Sequence, residues 1–96
     1  MSMVLMFINP SAPDRIFYTH LFGSLVQKRR RYLGLTVARA AELTGMTESE
    51  WLGVEGGSVP RDHRVIRTIS EALQVRTSDM MMASILSSLA QDETVQ

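Results

Sequence analysis

The side chains able to do acid–base or metal chemistry are few, and their spacing argues against it. Glu48 and Glu50 stand two apart in a helical stretch, so their carboxylates point in different directions and not into one site. His20 and His63 are far apart in the chain and have no ligand-spaced companions, which leaves no metal site to build. Cysteine is absent, so a disulfide framework, a thiolate zinc site and a cysteine nucleophile are all excluded. No nucleophile–base pair and no glycine-rich phosphate loop is visible. The reading is of a chain that is not an enzyme and holds neither metal nor cofactor. What is chemically distinctive is a run of cations, Lys28-Arg29-Arg30-Arg31, followed by an acidic stretch.

Ten basic and ten acidic residues cancel over the 96-residue chain, but not locally. Residues 1–41 hold six basic side chains and one acidic. Residues 42–60 hold Glu42, Glu48, Glu50 and Glu55 with no basic residue, whereas residues 61–76 hold four arginines against Asp62 and Glu71. Zero net charge gives no long-range pull toward polyanions, and local clusters act over about 8 Å at physiological salt. At this length one compact core is the ceiling, with roughly 60–65% of the unfolded chain's surface buried. The hydrophobic content of 45% and charged content of 21% are those of a globular domain. The longest apolar run, Met3 to Ile8, is far short of a membrane span and lacks the basic start and small-residue cleavage site of a secretory signal. A soluble cytoplasmic protein with no membrane partner is expected.

The elements that must position these residues are helical. Residues 1–10 read as an N-terminal arm. Ser11-Ala12-Pro13-Asp14 is a helix start, with Ser as cap, Pro in the first turn and Asp at the positive dipole end. The first helix is predicted to run to about Tyr32, with Ile16, Phe17, Leu21, Leu25 and Val26 on one face and His20 as a partly buried core residue. Gly34 fits a left-handed stop. Thr36 caps a short second helix ending at Gly45, and Thr47 caps a third, with Glu50 at capping-box spacing. Trp51 and Val54 supply the buried side of that third helix. Gly56 to Pro60 is a loop. A fourth helix carries Val65, Ile66, Ile69, Ala72 and Leu73 inward, and a last one is predicted over Asp79 to about Ala90, capped by Thr77 or Ser78. No stretch alternates with period two, so the chain is all-α with about five helices.

Residues 36–55 hold the informative pattern. Ala41 must be small where two helices cross closely, Gly45 supplies the positive φ of a tight turn, and Met46, Trp51 and Val54 lock the third helix against the core. The start and outer face of that helix are then left exposed, as a rod about as wide as a DNA major groove. This stretch resembles the lambda-repressor-like helix-turn-helix family, of the Cro and xenobiotic-response-element type. The resemblance covers roughly Leu25 to Val75. It is carried by Leu35-Thr36, Ala41, Gly45, Met46-Thr47, Val54-Glu55 and Gly57 in order, with Ile69 and Ala72-Leu73-Gln74-Val75 as the closing segment.

The resemblance implies a five-helix fold, with a helix-turn-helix domain over residues 11–76 and an extra C-terminal helix and tail over 77–96. It implies a double-stranded DNA operator as partner, read at base edges by Thr47, Glu48, Ser49, Leu52 and Gly53. Lys28, Arg29, Arg31, Thr36, Arg39, Arg61 and His63 are implied phosphate contacts, made by side chains or at helix N-termini. Arg30 falls where the family has an arginine that pairs with the glutamate equivalent to Glu55. The chain also departs from the pattern. The family usually begins the second helix with Gln, and here that position is Val37. The recognition helix has no Arg, Lys, Gln or Asn, and its Glu48 and Glu50 repel phosphates, although Glu can accept from cytosine N4. Pro60 sits one residue earlier than usual.

Met81, Ile85 and Leu89 form an apolar stripe flanked by Met82 and Leu86. The stripe either covers the domain's own core or forms a homodimer seam. Because the domain is expected to close its core with the helix before Val75, the seam is the preferred reading, and Val4 to Ile8 could pack on that surface or swap between subunits. The expected function is a bacterial, phage or plasmid regulator, most often a repressor and nucleoid-associated, that binds an inverted repeat as a homodimer. The competing reading is a protein-interaction module on the same fold, antitoxin-like or antirepressor-like, whose acidic stretch 42–60 docks a basic protein partner.

Overall fold

A computed structural model describes residues 20–95, and side chains as far as Gln91. The described residues form five helices and no strand: α1 (Leu21–Tyr32), α2 (Val37–Thr44), α3 (Glu48–Glu55), α4 (His63–Leu73) and α5 (Thr77–Val95). The N-terminal arm, the helix start at Ser11 and the inward positions Ile16 and Phe17 lie outside the described residues.

Local chemistry sets the boundaries of the central helices. The Thr36 hydroxyl accepts from the Arg39 amide and caps α2, whose other end stops at Gly45 with φ 70° and ψ 21°. Thr47 and Glu50 form a reciprocal capping box on α3: each side chain accepts from the other's backbone amide, at 3.0 and 2.8 Å. Asp62 caps α4 through the Arg64 amide. Gln74 ends α4 in the left-handed region, at φ 58°.

The core is assembled from one face of every helix. Phe22 and Val26 of α1, Ala40 and Ala41 of α2, Trp51 and Val54 of α3, Ile66, Ile69 and Leu73 of α4, and Met80 and Ala83 of α5 form one buried cluster. Each fully buried large apolar side chain among them is worth roughly 1.5–3 kcal/mol relative to exposure. Buried Ser70, Ser84 and Ser87 are tolerated because each hydroxyl is hydrogen-bonded.

Four expectations need correction. Among the described residues α1 begins at Leu21, and the single helix expected to run through His20 is interrupted there, where the backbone (φ −106°, ψ 9°) is outside helical geometry. The buried face of α1 is Phe22, Gly23 and Val26, and Leu25 is 40% exposed, because the helix turns its glycine and not its leucine toward its neighbours. His20 is exposed, its ring lying against Gly57 and not within the core. Finally, α5 is longer than expected, Thr77 and Ser78 lie within it, and it belongs to the domain's own core. Its inward face is Met80, Ala83, Ser84, Ser87 and Ala90, a mostly small-residue face packed on α1 and α4.

Candidate nucleic-acid interface

The helix-turn-helix unit is held from both sides of its turn. In the turn, the Met46 amide donates to the Ala41 carbonyl at 2.9 Å and the Gly45 amide to Glu42 at 3.3 Å. The Thr44 hydroxyl closes the last turn of α2 on the Ala40 carbonyl at 2.9 Å. Ala41 is 2% exposed and part of the buried core, so a larger side chain there would have to push aside what packs around it.

The inner side of α3 is fixed by a polar triad. Arg30 of α1 donates from Nε and Nη2 to the two oxygens of Glu55, a bidentate pair, and from Nη1 to the Leu35 carbonyl at 2.9 Å. Trp51, fully buried, donates its indole N–H to the same Glu55 carboxylate. Burial pushes the Glu55 carboxyl upward. Hydrogen bonds from Arg30, Trp51 and Gln27 and the arginine's charge outweigh it, and the carboxyl sits below its ordinary range. Arg30 is held above its own, first by the hydrogen bond to Glu55. One arginine thus ties α1, the α1–α2 connection and the end of α3 into one body.

The outer side of α3 carries Glu48, Ser49, Leu52 and Gly53, all exposed and at the three- and four-residue spacing that makes one stripe, with the exposed cap residue Thr47 at its start. The five residues implied as base readers are therefore brought together. Two polar groups here have other duties: the hydroxyl of Thr47, itself one of the five, and the carboxylate of the neighbouring Glu50 form the capping box, so both are engaged at the helix start. Leu52, 53% exposed, is an apolar side chain offered to solvent in the middle of the stripe.

The implied phosphate contacts, in contrast, are scattered. Thr36 and Arg39 lie at the start of α2, with Arg39 paired to Glu42. Arg61 and His63 lie at the start of α4, along a groove shared with Ile85 and Leu89 of α5. Arg29 is directed elsewhere: it donates from Nε to the Leu73 carbonyl at 2.8 Å, capping the negative end of α4, and its guanidinium lies 4.9 Å from the Tyr32 ring centroid. Lys28 lines an apolar groove with Leu25, Val75 and Met80, so both residues face the junction of α1, α4 and α5 and not α3. Arg31 is exposed at the end of α1.

Three contributors escaped the sequence reading. Arg64 lines the groove between α3 and α4 together with Glu50, Gly53 and Ser58, tethered there to Asp62, whose carboxyl this partner holds below its usual range. Gly23 is the crossing point of α1 and α3: a Cβ there would lie 2.6 Å from the Glu55 carbonyl oxygen and 2.7 Å from that of Val54. The signal was present, since a glycine inside a helical stretch costs about 1 kcal/mol against alanine and calls for a reason. Gln91 donates to the Gly57 carbonyl at 2.8 Å and joins α5 to the loop after α3, a contact with no sequence signature.

The fold and the exposed second helix of the bihelical unit define a helix-turn-helix DNA-binding regulator in general terms. A family model described as helix-turn-helix domain matches residues 21–81, and the chain belongs to that family. The match spans α1 to the first turn of α5 and agrees with the lambda-repressor-like resemblance. Neither curated proteins nor solved structures gave a match. No helix among the described residues is long and apolar enough to cross a membrane.

Proposed function

We propose that this chain is a sequence-specific transcriptional repressor that binds an inverted-repeat operator as a homodimer, inserting one α3 per half-site into the major groove. The observation that carries the reading is the division of α3 into a side anchored by Trp51, Val54 and the Arg30–Glu55 pair and an exposed side of Thr47, Glu48, Ser49, Leu52 and Gly53. On this reading Ser49 and Glu48 discriminate bases, Glu48 by accepting from cytosine N4. Arg39, Arg61, His63 and the amides at the starts of α2 and α4 meet phosphates. Met82, Ile85 and Leu89, each more than half exposed, support a self-complementary seam on α5, with the partly buried Leu86, and Met81 which also packs on the subunit's own core, at its edge. Half-sites then lie about 34–36 Å apart, one turn of duplex.

The test is selection of duplexes from a random library by the purified chain, followed by binding at low and moderate salt. Enrichment of a two-fold-symmetric site supports the reading, and recovery of random sequence overturns it. The acidic character of α3 favours one alternative, a protein-interaction module that takes a basic partner on that face. It predicts no enriched duplex, and competition of a basic polypeptide at α3 that Glu48→Lys abolishes.

A further inference from the structure

Two glycines interrupt helices of this domain, and only one is explained by the fold. Gly23 of α1 has α3 backbone where its Cβ would be, with the nearest atom at 2.6 Å. Gly53 of α3 has almost nothing there: a Cβ would meet only the Ser58 Cβ, at 4.0 Å, an ordinary contact. Gly53 is not among the positive-φ residues either, so its backbone conformation is one that alanine adopts freely. Within its own subunit the residue destabilises α3 and gains nothing. It also lies on the exposed stripe, one residue after Leu52 and four after Ser49, at the mouth of the groove toward Arg64. A helix-interior glycine that the fold does not use leaves the backbone bare to something that comes from outside.

We propose that Gly53 is a close-approach position for the operator, where the 5-methyl of a thymine packs against the uncovered helix backbone beside Leu52. The inference rests on the regulator reading and deepens it. The chemistry chooses the occupant. Gly53 offers no side-chain donor or acceptor, and Leu52 adds apolar surface. The carboxylates of Glu48 and Glu50 on the same helix disfavour a phosphate. Of the groups displayed in the major groove, the thymine methyl is the apolar one. With a side chain at position 53, the helix would be held away by the thickness of that group, and the contacts of Ser49 and Glu48 would lengthen together with it.

The experiment uses the full chain and the duplex it selects from a random library. In that duplex each thymine is replaced in turn by uracil, which removes only the methyl. One replacement per half-site is expected to weaken wild-type binding by about fourfold, the worth of one buried methyl-sized group. Gly53→Ala is expected to melt several degrees higher than wild type, as an exposed helix position freed of glycine. It is also expected to bind the selected duplex at least tenfold more weakly, and Gly53→Val to lose the discrimination between thymine and uracil. Gly53→Ala binding the duplex as tightly as wild type overturns the inference while leaving the regulator reading intact. So does the absence of any thymine whose methyl matters. A lowered melting temperature for Gly53→Ala overturns it too, because the glycine would then serve the fold. If wild type selects no duplex at all, the regulator reading itself fails, a different and recognisable result.

Discussion

The Ser87 hydroxyl of α5 accepts a hydrogen bond from the Phe22 amide of α1 at 2.9 Å, in a buried position, and so takes the place of an N-cap across 65 residues of sequence. His20, which occupies the cap position, provides no side-chain hydrogen bond. The first turn of α1 is thus completed only when α5 docks. Ser87→Ala leaves a buried N–H without a partner, and urea denaturation should show a loss of about 1–3 kcal/mol. A loss within error of zero would mean that water reaches the Phe22 amide and that α5 is not needed to finish α1.

The Arg30–Glu55 pair should dominate the acid limb of stability. Side-chain exposures of 11% and 4% leave little solvent to stand in for either partner. Arg30→Ala strands the carboxylate and should cost about 3–5 kcal/mol in chemical denaturation. The Glu55 carboxyl lies below its ordinary value in the folded state. Its contribution is therefore fully present above the unfolded value of about 4.3 and is lost as pH falls through the folded one. Melting temperatures recorded from pH 7 to pH 2 should drop below about pH 4. Glu55→Gln should flatten that drop.

Gly23 and Gly53 should respond to the same substitution with opposite signs. Gly23→Ala forces its methyl into the Glu55 and Val54 carbonyls, where only a shift of α1 against α3 relieves it. A loss of about 1–3 kcal/mol is expected, typical of overpacking. Parallel thermal melts of the two alanine variants test this, and a gain at position 23 would contradict the crossing geometry.

On DNA, two kinds of substitution should separate. Ser49→Ala and Glu48→Ala should change base preference in the selected site with little effect on the salt slope. Arg39→Ala and Arg61→Ala should weaken matched and scrambled duplexes alike and reduce that slope by about 1 each. Lys28→Ala and Arg29→Ala should leave the slope near wild type, since both side chains look onto the α4–α5 junction. Fluorescence anisotropy at several salt concentrations distinguishes the classes.

The α5 seam predicts its own disruption. Ile85→Asp or Leu89→Asp places a charge on a face that is more than half exposed in the subunit, so the fold should survive. Sedimentation should then show a monomer where the parent chain is a dimer, and binding to the symmetric site should weaken. A parent chain that sediments as a monomer at high micromolar concentration removes the seam from the proposal.

Much of this domain was legible because it is local. The caps at Thr36 and Thr47, the capping-box glutamate at Glu50 and the left-handed turn at Gly45 each satisfy backbone groups within four residues, so residue type and spacing suffice to find them. The buried Trp51 and Val54 and the pairing of Arg30 with Glu55 followed from the same pattern and its family resemblance. What the sequence alone left undecided involves partners distant in the chain. Arg29 belongs to a cationic run, yet its guanidinium is drawn to the Leu73 carbonyl, 44 residues away, because packing brings the end of α4 against it. Hydrophobic spacing on α5 singled out Met81, Ile85 and Leu89 as a seam, but did not show that the same helix turns Met80 and the small residues Ala83, Ser84, Ser87 and Ala90 into the domain's own interior. Periodicity locates apolar bulk but passes over small residues, which a close helix contact also needs, and only the assembled tertiary structure tells which of the two faces a helix turns inward.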